Sequence, residues 1–204
     1  TTTHMAWEED RPFADAEDTE ELCRFIEQYG YVIAAKHKAG QPKISGPEPE
    51  TLKRLSGFCD LLLVEADGAR RLPLKVPAVH EPVIPEFADI VVGVTGLDCI
   101  GKKICDIAHR PEDVAEFLRK KTDEPVMWED VVKIASSENG LRKNVGEKSF
   151  LVYFNKADVL ESSGVAENII KKCREAGIEA VCGSLKKIME RQEICRKFHG
   201  IRRK

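Results

Sequence analysis

The sequence has no surplus of basic charge. Its 32 Lys and Arg are outnumbered by 35 Asp and Glu, for a formal net charge of -3. A face that neutralises a phosphate backbone needs the opposite balance, which argues against a general nucleic-acid binder. The one basic cluster, Arg196 to Lys204, reads as a solvated tail end. No apolar run is long enough to cross a bilayer, and no signal peptide is visible in the residues given. Cys-x-x-Cys pairs are absent, so finger-like zinc spacing is absent too. The seven cysteines are an odd number, and several sit in apolar stretches such as FCDLLLV and AVCGS. Reduced, mostly buried thiols in a cytoplasmic protein are expected. A complete phosphate-cradling loop of the form G-x-x-x-x-G-K-S/T is also missing.

What is present is an ordinary globular composition, 42% hydrophobic and 33% charged. Its 204 residues suit a single α/β domain spanning 1–204. DTEELCRFIEQYG predicts a helix closed by Gly30, and YVIAA a short strand. KIS allows another short strand, and PETLKRLSG predicts a helix with Pro49 in its first turn. DLLLVEADGA and ADIVVGVTG are continuous apolar runs, the pattern of central strands covered on both faces. KSFLVYFN predicts a third strong strand and IEAVCGS a fourth. Helices are predicted at PEDVAEFLRKK, MWEDVVKIAS, GVAENIIKKCREAG and LKKIMERQEICRKF. Strands alternating with helices at this spacing imply an α/β fold with a mainly parallel sheet. Ligands in such folds sit beyond the carboxyl ends of the strands. The polar residues there are Glu65 and Asp67, Thr95 and Asp98, Asn155 to Asp158, and Gly183 with Ser184.

FLVYFNKADVL, residues 150–160, breaks from apolar to polar at Asn155-Lys156-Ala157-Asp158. Asn-Lys-x-Asp after a buried strand suits recognition of guanine. The Asp158 carboxylate can accept two parallel hydrogen bonds, from the ring N–H and the exocyclic amine. Adenine lacks that donor pair and would leave the carboxylate unmet. Asn155 would bond the purine edge and brace the loop, and the Lys156 stem would cover the base. The competing interpretation is a plain strand-terminal turn, since these residue types favour turns.

VEADG offers acidic residues at a strand end, followed by glycine. Glu65 or Asp67 could hold Mg²⁺ through water or position an attacking water, and the Gly68 N–H could face a γ-phosphate. A tight Asp-Gly turn is the alternative. GLDCIGKK, Gly96 to Lys103, approaches the cradle pattern but ends in lysine instead of a hydroxyl. Pro111 follows too soon for a long helix, so this stretch reads as a loop at the sheet's carboxyl edge. TTTHM looks like the end of a strand already entered. Thr2 and Thr3 hydroxyls there could contact Mg²⁺ or phosphate. His80, His109 and Arg110 fall in loops expected on the ligand edge, where they could contact phosphate or a partner. A structural hydrogen-bonding role is the alternative for each histidine.

TTTHM, VEADGARRLPLKVPAVHEPVIP, GLDCIGK, HRPE, NKAD and GSL follow one another in this order. In this the chain resembles the bacterial YqeC family of selenium-dependent hydroxylase accessory proteins, from residue 1 to about GSLK. The resemblance implies a P-loop NTPase-like three-layer sandwich. It also implies an acidic strand similar to that of the metallochaperone GTPases that mature hydrogenase and urease. It implies GTP or GDP and Mg²⁺ as ligands, and a role in maturing selenium-dependent molybdenum hydroxylases or their cofactor. By it, Ser184 matches a loop closing over the base. Family members carry a glycine-rich loop upstream of the threonine run, and this chain lacks it. The natural protein is accordingly expected to be longer at its N-terminus, with the strand, P-loop and helix apparently missing here. Two roles follow: a Mg²⁺-dependent GTPase, or a non-hydrolytic scaffold that binds nucleotide, a selenium species or molybdenum cofactor and docks on the hydroxylase through its PLKVPAVHEPVIP loop. A nucleotidyltransferase-like enzyme is a weaker third, because such enzymes read guanine by other patterns.

Overall fold

A computed structural model describes residues 1–2, 4–6, 10–37 and 43–189, with the side chains of 4–6 excepted. The chain packs as two compact units, each with its own interior. It is α/β, with mostly parallel pairings and flanking helices.

The first unit comprises Thr1–Gly68 and His80–Ala88. Its strands are β1 (His4–Ala6), β2 (Phe13–Asp15), β3 (Ile33–His37) and β4 (Lys43–Ser45); its helices are α1 (Thr19–Tyr29) and α2 (Pro49–Leu55). The sheet order is β1-β4-β3-β2, parallel between β2 and β3 and antiparallel elsewhere. The α1 start is fixed by Asp18, whose carboxylate accepts from the Glu21 N–H at 2.9 Å. One face of α1 sends Leu22 inward against Ala14, Ala16 and Leu55. Pro49 opens α2, where a missing N–H costs nothing. Glu17 ties the two helical regions together, accepting from Thr51 Oγ1 at 2.8 Å and from Arg54 at 2.9 Å.

Residues 61–69 form no strand, contrary to the expectation for DLLLVEADGA. Leu61 is 73% exposed and Leu63 81%. Apolar, β-compatible residues make a strand only when a neighbouring strand takes up their backbone groups. Among the described residues none pairs with this segment.

The second unit comprises Ala69–Val79 and Asp89–Lys204. It contains β5 (Leu74–Lys75), β6 (Ile90–Gly96), α3 (Ile104–Ile107), β7 (Ala108–His109), α4 (Pro111–Leu118), α5 (Trp128–Ser136), β8 (Ser149–Asn155), α6 (Ser163–Glu175) and β9 (Glu179–Cys182). The sheet β6-β8-β9 is parallel throughout, in register from Ile90 opposite Ser149 to Gly96 opposite Asn155. A short parallel pair, β5-β7, joins the end of β6, where Pro73 O accepts from Gly96 N and Thr95 Oγ1, each at 2.9 Å.

One face of the three-stranded sheet is packed. Val152 and Phe154 are fully buried against Ile169 and Cys173 of α6 and against the interior formed by α4 and α5. Burying a side chain such as Phe154 contributes roughly 1.5–3 kcal/mol. The other face is open: Ile90, Val92 and Val94 are 63%, 50% and 56% exposed. ADIVVGVTG is therefore an edge strand with one covered face, not a central strand covered on both. Apolar continuity records what a strand tolerates, and no described strand pairs with the outer edge of β6.

GLDCIGKK follows β6 as a short 3₁₀ turn, Leu97–Cys99, then the four-residue α3. A phosphate cradle needs a helix long enough to present aligned N–H groups and a dipole, and α3 is a single turn. Residues 185–189 are helical, and the remainder of the helix expected at LKKIMERQEICRKF lies outside the described residues.

Candidate functional site

The structure assigns the expected site residues to both units. Thr2, Glu65, Asp67, Gly68 and His80 belong to the first. Asn155, Lys156, Asp158, Ser184, His109 and Arg110 belong to the second. Thr3 lies outside the described residues.

In the first unit the threonine run does meet the acidic segment. Thr2 N donates to Glu65 O at 2.9 Å, and Thr1 Oγ1 to the same carbonyl at 3.0 Å. The Thr2 hydroxyl donates to Val83 O at 2.8 Å. Ala66 O accepts from Val83 N at 3.2 Å, so Thr2, residues 65–66 and Val83 are all tied to one another. Glu65, Asp67 and Gly68 are half-buried. His80 is 78% exposed, 3.8 Å from the Glu81 carboxylate.

Among the described residues no three His, Cys, Asp or Glu side chains group as a metal site. Mg²⁺ on a nucleotide asks for less, one or two carboxylates with phosphate and water completing the shell. The half-buried Glu65 and Asp67, on a backbone whose Glu65 carbonyl is bonded by the threonine hydroxyls, supply donors of that hard-oxygen type.

In the second unit the carboxyl ends of β6, β8 and β9 converge, and the sequence explains how. β8 stops at Asn155 because Lys156 turns into the left-handed region, φ 63. Asn155 Oδ1 accepts from Lys156 N at 2.8 Å and from Leu185 N at 3.1 Å. One side chain thus shapes its own turn and pins the loop after β9. The backbone repeats the link: Ala157 N donates to Gly183 O at 2.9 Å, and Gly183 N to Phe154 O at 3.0 Å. Gly183 is required here for space, because a Cβ would lie 2.5 Å from Tyr153 Oη. That hydroxyl is buried with no hydrogen-bond partner among the described residues.

Asp158 is exposed at the start of the following turn. A hydrogen bond from the Ser184 hydroxyl holds its carboxyl below the ordinary range, helped by its own backbone N–H and by Lys187 and Lys186. The ionised form of the acceptor is thereby favoured. Asn155, Asp158 and Ser184 are thus brought together as the sequence led one to expect.

The end of Lys156 is engaged by another residue. Its ammonium lies 2.7 Å from Asp98 Oδ2 in the turn after β6. Sequence reasoning picks out Asp98 only as a polar residue following a strand. The partnership joins residues 58 positions apart, and no local pattern encodes it.

His109 lies on β7 opposite Lys75, which is only 6% exposed. Arg110 caps α4 in the left-handed region, φ 57. Both belong to the β5-β7 pair and the α4 start, apart from the Asn155–Ser184 loops in the topology.

The family model described as YqeC protein matches residues 1–112. The uncharacterized protein YqeC of Escherichia coli (strain K12) is 32% identical over 165 residues. That alignment covers 79% of this chain and 64% of the relative, so the chain spans just under two thirds of the relative's length. No solved structure matches.

Proposed function

From the premise that the chain belongs to the YqeC family, we propose that it is a guanine-nucleotide-binding accessory protein. In the full natural protein the nucleotide is hydrolysed with Mg²⁺, and the cycle serves the maturation of selenium-dependent molybdenum hydroxylases. The observation that carries the nucleotide reading is the loop cluster at the carboxyl end of β8. Asn155 braces the loop after β9, which brings Ser184 to the Asp158 carboxylate and favours its ionised form, beside a strand buried on one face. An ionised carboxylate held in place is what the paired donors of guanine require. The client assignment has the family resemblance as its support.

The finer fold reading is a P-loop NTPase-like sandwich. It is supported by the all-parallel order β6-β8-β9, with the base-reading residues on the middle strand, and by the unpaired outer edge of β6 among the described residues. Mg²⁺, when bound, would be held by Glu65 or Asp67 with a threonine hydroxyl, and would neutralise phosphate charge. Glu65 or Asp67 would also position the attacking water.

A non-hydrolytic docking module is favoured by one observation. The proline-rich loop carries Val79, 94% exposed, and Val83, 50% exposed. Turnover separates the two readings. The full natural protein with Mg²⁺ is titrated with GDP and ADP, and GTP hydrolysis is followed with and without the hydroxylase. GDP preference with turnover supports the GTPase. GDP preference without turnover, even with the client present, supports the module. Equal affinity for ADP removes the guanine reading.

A further inference from the structure

Lys156 is held by a carboxylate that the base motif itself does not supply. The Lys156–Asp98 bond ties the carboxyl end of β8 to that of β6. The Asp98 side chain is 24% exposed and that of Lys156 45%, so the contact is partly desolvated. Asp98 Oδ1 is buried and accepts no hydrogen bond among the described residues. Room for that oxygen comes from Gly96, where a Cβ would lie 2.5 Å from Asp98 Oδ1 and 2.8 Å from Pro73 Cβ. The carboxylate is therefore tucked in, with one oxygen unmet and the other given to Lys156.

Lys156 is itself constrained at its other end. Its backbone adopts φ 63, a conformation that non-glycine residues avoid unless their surroundings hold them there. Asn155 Oδ1 grips its N–H. With the backbone gripped and the ammonium anchored, the four-carbon stem is fixed across the carboxyl edge between β6 and β8. A free lysine would lose rotamer freedom on covering a flat aromatic ligand, and an anchored one has already lost it.

We propose that Asp98 is a positioning residue of a purine platform: by anchoring the Lys156 ammonium it holds the lysine stem as the surface on which the base lies. This rests on the guanine reading above. Asp98 touches no ligand itself and acts through Lys156. Base identity stays with Asp158, so the pair governs how tightly a guanine nucleotide binds and not which purine is chosen.

A double-mutant cycle tests this on the full natural protein, with Asp98→Asn, Lys156→Met and their combination. Asn keeps the shape of Asp without its charge, and Met keeps an apolar stem without an ammonium. GDP and ADP affinities and urea midpoints are measured for all four proteins. Asp98→Asn is expected to weaken GDP by about tenfold, the scale of one charge-assisted hydrogen bond. Its urea midpoint should barely move, because a half-exposed ion pair stabilises little. The preference for GDP over ADP should persist, and the double variant should bind no more weakly than Lys156→Met. Unchanged GDP affinity in Asp98→Asn, or additive losses in the double variant, overturns the role of Asp98 alone. Loss of affinity in proportion to lost stability overturns it as well, since that marks a purely structural contact. A wild-type protein without preference for GDP overturns both this role and the guanine reading.

Discussion

Replacing Asn155 with Ala removes the acceptor of two backbone N–H groups at once, those of Lys156 at 2.8 Å and Leu185 at 3.1 Å. Each such bond contributes about 0.5–1.5 kcal/mol net, and solvent access to the exposed Leu185 N–H limits the penalty for leaving it bare. A loss of about 2 kcal/mol follows, together with the release of the loop after β9. With a urea dependence of about 2 kcal/mol per molar, the midpoint should fall by about 1 M. The sequence holds two tryptophans, Trp7 and Trp128. With Trp7 changed to Phe, the fluorescence of Trp128 at the start of α5 reports on the second unit alone. Asn155→Asp keeps an oxygen in the same place and should retain most of the stability. An Ala variant within about 0.3 kcal/mol of the parent, a change typical of surface sites without such bonds, would refute the brace. An Asp variant as damaged as Ala would show that the amide acts through something other than its acceptor oxygen.

Two further outcomes follow from the same loops. Tyr153→Phe removes a buried hydroxyl that has no partner among the described residues, so thermal unfolding should be unchanged or shifted upward. Gly183→Ala sets a methyl against that hydroxyl oxygen and should cost about 1–3 kcal/mol, and a neutral Gly183→Ala would contradict the packing. The Asp158 carboxyl titrates below its ordinary value of 3.8. Its folded pKa is depressed, so its contribution to stability is present above that value and fades as pH falls through the folded pKa. Carboxyl-carbon NMR should show the depressed titration, and Ser184→Ala should move it back up. A carboxyl at or above the ordinary value would contradict the Ser184 contact.

Most regular elements could be read directly from the residues, because helix periodicity and capping are local. The predicted α1 opens on Asp18, its structural cap, and Pro49 marks the start of α2 in both sequence and structure, while the Ser162 cap of α6 precedes the predicted helix by two residues. The two- and three-residue strands β2, β5 and β7 were not foreseen, since pieces so short exist only through their neighbours. The same dependence explains residues 61–69, whose β-compatible composition finds no ladder among the described residues. Within the candidate site, Asn155, Asp158 and Ser184 were legible because each follows a strand end and parallel order brings those ends together. Asp98 was visible by position but not by partner. The lysine's reach across to β6 depends on a left-handed turn and on the space at Gly96, which only the folded chain displays.

The guanine pocket is tested most directly by exchanging the donor–acceptor pattern it reads. Guanine offers Asp158 a ring N–H and an exocyclic amine, whereas xanthine offers the ring N–H beside a carbonyl oxygen. Asparagine at the same place can accept from the first and donate to the second. Calorimetric titration of the full natural protein and of Asp158→Asn with GDP and xanthosine diphosphate therefore has a crossed prediction. The parent should prefer GDP and the variant xanthosine diphosphate, each by at least about tenfold, since one unmet polar pair costs on the order of 1–3 kcal/mol. Identical GDP affinity in the two proteins, or no preference in the parent, would contradict the account.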